Sequence, residues 1–120
     1  MANILVVDDS SSMRQMVAFT LKSDGHQVSE AADGQAGLQL AEKTAFDLVI
    51  SDVNMPVMNG LELTAAIRKK SACQRAPILL LTTESSAEQK SAGKKAGATG
   101  WLVKPFNPQA LQQTVGKVIR

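Results

Sequence analysis

An α/β fold built on a parallel five-stranded sheet is predicted by three observations on the sequence. Short apolar runs alternate five times with longer stretches of helical period. Three of those runs are nearly continuous in apolar residues, as strands covered on both faces must be. Asp24–Gly25, Asp33–Gly34 and Asn59–Gly60 punctuate the chain where one period gives way to the other.

The elements follow in order. NILVV (residues 3–7) is the first strand candidate. Met13, Met16, Val17, Thr20 and Leu21 then keep the i, i+3, i+4, i+7, i+8 rhythm of one helix face. Ser12 and Gln15 have capping-box spacing at that helix's start, and Asp24–Gly25 ends it. HQVSEA (26–31) is more polar, so it reads as an edge strand. Leu38 and Ala41 mark a second helix, FDLVI (46–50) a third strand, and Leu63, Ala66 and Ile67 a third helix. PILLL (77–81) is the fourth strand. The segment from Ser86 to Ala96 is a helix with mostly alanine for apolar content and Gly93 inside it, which predicts a loosely held element. GWLVK (100–104) is the fifth strand. Leu111, Val115, Val118 and Ile119 define the last helix, with Asn107 as N-cap and Pro108 at its first position. Short βα units of this kind wind a flavodoxin-like (βα)5 three-layer sandwich, strand order 2-1-3-4-5, with the polar second strand at an edge.

Size and composition agree with one domain over residues 1–120. Hydrophobic residues are 44% and charged residues 20%, enough apolar material for a core. Cys73 is the only cysteine, which excludes a disulfide within the chain. No apolar run approaches the roughly 20 residues of a membrane span, and no charged-then-apolar leader precedes the first strand, so the chain reads as cytoplasmic with no membrane partner. A net charge of +2 with 3% aromatics speaks against nucleic acid as a partner. Cys73 lies in a polar loop stretch and His26 in a turn before the edge strand, and neither has a second ligand nearby in sequence.

In such sheets ligands bind beyond the carboxyl ends of the strands, where the winding direction switches. Strand one ends in Asp8–Asp9, strand three in Asp52, strand four in Thr82–Thr83 and strand five in Lys104. Each alone is a common turn or cap residue. Together they predict three carboxylates and one ammonium at one edge. Carboxylates do not gather unrelieved, and a hard divalent cation such as magnesium, which takes few carboxylates plus water and phosphate oxygens, resolves the repulsion. In SDVNMPVMNG, Pro56 stiffens the turn and Asn59–Gly60 suits a tight conformation. That loop would hold Asp52 outward and aim the Asn54 backbone at the same ion. A carboxylate beside magnesium and lysine is placed to attack phosphorus.

With these residues in place the chain resembles response-regulator receiver domains, most of all the single-domain kind used in chemotaxis. The resemblance covers the whole chain and rests on Asp8–Asp9, Asp52 within D-V-N-M-P-V-M-N-G, Thr82, and Lys104–Pro105. It implies two-component signal transduction. A histidine kinase donates a phosphoryl group to Asp52. Magnesium is held by Asp9, Asp52 and the Asn54 carbonyl, with Asp8 acting through water. Lys104 pairs with a phosphate oxygen, Thr82 moves to another, and the aromatic at Trp101 rotates into the space vacated. It also implies a cis Lys104–Pro105 bond and an output surface on the fourth helix, fifth strand and fifth helix. Asn54 and Glu84 occupy positions that tune the phosphate's lifetime. Thr83 stands where alanine or glycine is common, and Trp101 where tyrosine or phenylalanine is usual; a core-lining role for Trp101 stands beside the switch role. No output domain is expected. The partners implied are the kinase, a downstream protein such as a flagellar motor switch protein, and a phosphatase.

Other readings meet specific obstacles. A receiver fragment of a larger hybrid kinase or regulator, or a phosphate sink, would carry the same residues. An aspartate-nucleophile phosphohydrolase would carry D-x-D on strand one, whereas Asp8 and Asp9 are adjacent. A flavin carrier could use Ser10–Ser12 for phosphate, but without tyrosine and with one tryptophan it has little to stack on the ring. An activity as a free-standing enzyme is not expected, beyond weak self-phosphotransfer and autodephosphorylation.

Overall fold

The computed structural model describes residues 2–69, 71–83 and 87–119. Among these, five strands alternate with five helices: β1 (Asn3–Val7), α1 (Ser11–Ser23), β2 (Gln27–Ala31), α2 (Gly34–Lys43), β3 (Leu48–Asp52), α3 (Gly60–Lys69), β4 (Ile78–Thr82), α4 (Ala87–Ala96), β5 (Gly100–Val103) and α5 (Pro108–Val118). Every strand pairing is parallel and the order is β2-β1-β3-β4-β5, the order expected from the sequence.

Side chains alternate across a strand, so each inner strand feeds two cores. Leu5, Val7, Val49, Ile78 and Leu80 pack on one face with Ala41 of α2 and Leu63 and Ile67 of α3. Ile4, Val6, Leu48, Ile50, Leu79 and Leu81 pack on the other with Val17 and Leu21 of α1 and Leu111 and Val115 of α5. β1, β3 and β4 are therefore buried along their length, which is why their apolar runs are unbroken. β2, paired on one side only, keeps Gln27 and Glu30 exposed.

Three expectations shift. α1 starts at Ser11 with Ser10 as its N-cap, not Ser12: the Ser10 hydroxyl accepts the Met13 N–H at 3.3 Å. The reason lies two residues upstream, where Asp8 Oδ1 accepts the Ser10 N–H at 2.9 Å and holds Ser10 extended just before the turn into the helix. β3 begins two residues later than FDLVI suggests, because Asp47 leaves the run to accept the Asn3 N–H at 2.8 Å. Cys73 is no surface loop residue. It is buried in the α2–α3 core, where its thiol accepts the Phe46 N–H at 3.2 Å and donates to the Thr44 carbonyl at 3.1 Å, and burial pushes its pKa up.

α4 is shallowly seated, as its alanine content predicts. Among its side chains described, Gly93 alone is buried. A Cβ there would stand 3.4 Å from Leu80 Cδ1 and 3.9 Å from Trp101, ordinary contact distances, so the close seating at this point does not require glycine.

Candidate functional site

The carboxyl ends of β1, β3, β4 and β5 bring Asp8, Asp9, Asp52, Thr82 and Lys104 to one edge. Asp8 follows β1 and is fully buried. Its N–H donates to the Ala31 carbonyl of β2 at 3.1 Å, and its own carbonyl accepts Arg14 Nη1 at 2.7 Å. Oδ1 is taken by Ser10, as above. Oδ2 is buried and has no hydrogen-bond partner among the described residues; the nearest cation, Lys104 Nζ, is 3.6 Å away. Asp9, the next residue, is exposed.

Asp52 is the last residue of β3 and, unlike the solvent-facing placement expected from its loop, is only 7% exposed. Its Oδ1 accepts a hydrogen bond from Lys104 Nζ at 3.1 Å. Burial raises the Asp52 pKa above the usual carboxylate value; the Lys104 hydrogen bond and charge lower it, and the charges of Asp8 and Asp9 raise it further. The loop behind Asp52 is pinned to the sheet. Val53 N–H donates to Leu81 O at 3.0 Å and Gly60 N–H to Val53 O at 2.9 Å. Gly60 is forced at this point, since a Cβ would run into the Asp52 carbonyl. Within the loop Val57 holds φ at +71° and is 76% exposed, a conformation a β-branched residue adopts only under constraint. Lys104 is oriented from its backbone: its N–H donates to Thr82 O at 2.7 Å, and the Lys104–Pro105 bond that follows is cis, as the resemblance implied.

One oxygen from each of Asp8, Asp9 and Asp52 can be chosen so that all three lie within 4.8 Å of one another. An octahedral magnesium shell with a radius of about 2.1 Å spans about 4.2 Å, so small side-chain movements bring the three into one shell. Three carboxylates against one ammonium leave two negative charges, which a divalent cation cancels. The buried Asp8 Oδ2, which makes no hydrogen bond, fits the same ion, directly or through water. The residues present therefore fit a hard divalent cation.

Thr82 closes β4 and is buried, and Thr83 beyond it is exposed. Asn54 is exposed two residues past Asp52. Trp101 sits opposite Leu80 in the β4–β5 register and is half-buried against the α2–α3 core, with Lys90 Nζ of α4 5.7 Å from its ring centroid. Glu84 lies outside the described residues. Sequence reasoning missed Arg14 and Ser10. The available signal was a basic residue in the first turns of α1, a helix with no acidic residue there; a cation at a helix N-terminus opposes the dipole, so another contact must hold it.

With fold and geometry in place, the comparisons define the class. The model of the response regulator receiver domain family matches residues 4–116, and the chain belongs to that family. It is a CheY-like receiver domain of two-component signalling. Chemotaxis protein CheY-3 of Vibrio cholerae is 38% identical over 116 residues, covering 96% of this chain and 89% of the relative. The structure of Vibrio cholerae chemotaxis protein CheY4 superposes with a TM-score of 0.94 at 56% identity, covering 98% of both chains. The receiver domain of the sensor histidine kinase PA1611 from Pseudomonas aeruginosa, a structure with magnesium coordinated in its active-site cleft, gives 0.90 at 30% identity over 98% of this chain and 97% of that one. Among the described residues of the present chain, no helix is long and apolar enough to cross a membrane.

Proposed function

We propose that this protein is a magnesium-dependent phosphoacceptor, loaded at Asp52 by a histidine kinase, and that loading switches a protein-binding surface. The observation that carries the reading is the convergence of Asp8, Asp9 and Asp52 around a buried carboxylate oxygen that makes no hydrogen bond, with Lys104 Nζ 3.1 Å from Asp52. Asp9, Asp52 and the Asn54 carbonyl would hold the ion, with Asp8 acting through water. When bound, the ion neutralises charge on the carboxylates and on the incoming phosphoryl oxygens. Lys104 leaves its pairing with Asp52 for a phosphoryl oxygen. An Asp52 oxygen forms the new bond to phosphorus as the P–N bond to the donor imidazole breaks, and the electron pair stays on that nitrogen. Hydrolysis by water returns free Asp52 and inorganic phosphate, with Asn54, Thr83 and Glu84 setting the lifetime. A phosphatase is a further partner at this step.

Output runs through α4, β5 and α5. α4 is the shallowly seated helix, its Lys90 lies over the Trp101 ring, and Thr82 closes β4 two residues past the register partner of Trp101, so movement of Thr82 toward a phosphoryl oxygen would free space that the Trp101 ring can enter. The downstream partner is a protein, of the flagellar motor switch kind if the CheY likeness extends to the pathway. Incubation with a small phosphodonor and magnesium tests the acceptor role. One acid-stable, base-labile, hydroxylamine-sensitive phosphoryl group is expected. The reading fails if Asp52→Asn still takes up that group or if a chelator leaves uptake unchanged.

A further inference from the structure

The Asp8–Asp9 peptide plane is held in place from outside the acidic cluster. Asp9 is exposed, and no hydrogen bond or ion pair holds its side chain among the described residues. Its direction is therefore set by its backbone. That backbone is fixed through the Asp8 carbonyl, which belongs to the same peptide plane as the Asp9 nitrogen. Arg14 Nη1 donates to that carbonyl at 2.7 Å, while Arg14 Nε donates to Glu30 Oε1 of β2 at 3.2 Å. The Arg14 side chain is 18% exposed and Glu30 34% exposed, so the guanidinium bridges two elements across the edge of the sheet instead of reaching for solvent.

We infer that Arg14 is a positioning residue for the divalent cation, acting through the Asp8 carbonyl, and that Glu30 holds Arg14 in place. The inference rests on the phosphoacceptor reading of the same cluster. Its sign separates it from simple electrostatics. A bare positive charge near the site repels a cation, so its removal would tighten binding. A positioning residue does the opposite: without it Asp9 samples more directions and binding weakens. Partners one shell out from a metal ligand commonly carry about 10–100-fold of metal affinity. Lysine cannot reproduce the planar fork that meets the Asp8 carbonyl and the Glu30 carboxylate together.

Manganese binding to the unphosphorylated protein, followed by electron paramagnetic resonance of the free ion, reads the site without its activity. Arg14→Ala is expected to weaken binding at least tenfold, Arg14→Lys by several-fold, and Glu30→Gln, which keeps an acceptor for Nε, by less than either. Phosphorylation at saturating magnesium should reach the wild-type level in all three, with only the magnesium requirement displaced. Urea unfolding of each variant reports folding; if Arg14→Ala does not fold, Arg14→Lys carries the test. Arg14 affinity within twofold of wild type, or tighter, overturns the inference. Failure of the wild-type protein to bind manganese would instead overturn the metal reading beneath it.

Discussion

The most consequential single group is Asp52, an acid whose pKa is raised chiefly by burial. Between its ordinary value of 3.8 and the raised one, the folded protein binds more protons than the unfolded chain. Metal-free stability should therefore fall as pH climbs through that window. Asp52→Asn removes this slope, so the variant's advantage over wild type should grow as pH rises above about 4 in urea unfolding with chelator present; a pH-independent difference would refute this account. Magnesium bound as proposed would reverse the effect, since it favours the charged carboxylates. At a hundredfold excess over its dissociation constant it should add about 2.7 kcal/mol to unfolding, a gain lost in Asp9→Ala. Val57 is a second residue under tension. Asparagine tolerates its left-handed backbone, so Val57→Asn should stabilise the fold by about 1 kcal/mol, read as a higher urea midpoint.

At the scale of elements, the contrast is between α3 and α4. α3 begins with a reciprocal pair, Glu62 N–H to Asn59 Oδ1 at 2.8 Å and Asn59 N–H to Glu62 Oε1 at 3.0 Å, and buries Leu63, Thr64 and Ile67. α4 has no comparable apolar face. Its C-terminal end is tied by Arg68 of α3, whose Nε donates to the Gly97 carbonyl at 2.9 Å while Nη1 reaches the Gln74 and Ala76 carbonyls. Among the described residues this guanidinium has no carboxylate partner, and burial lowers its pKa. Arg68→Ala should cost about 1–3 kcal/mol by leaving those carbonyls unpaired. It should also speed amide exchange in α4 more than in α1 or α5. Equal acceleration in all helices would deny Arg68 this local role. The shallow seating of α4 was legible from its alanines. Its anchor was not, because Arg68 reaches a carbonyl 29 residues away, and a backbone carbonyl carries no residue-type signal.

For the whole molecule, the two-faced sheet makes β3 the common support of both cores and of the site. Ile50→Ala should cost about 2–5 kcal/mol and lower the thermal midpoint, since its side chain is fully buried; a cost below about 1 kcal/mol would mean the core collapses around the gap. The periodicity of the chain determined its ten elements, and unbroken apolar runs determined which strands lie inside, because burial on two faces demands such composition wherever the strand ends up. Strand order followed from short right-handed βα connections, and with it the prediction that Asp8, Asp9, Asp52, Thr82 and Lys104 share one edge. Tertiary structure alone decided what pairs with what there: Ser10 capping α1, Cys73 facing Thr44 and Phe46, Arg14 reaching the Asp8 carbonyl, and Asp8 Oδ2 left without a hydrogen bond. Those outcomes depend on distances of tenths of an ångström between segments far apart in the chain, and residue type and spacing carry no record of such distances.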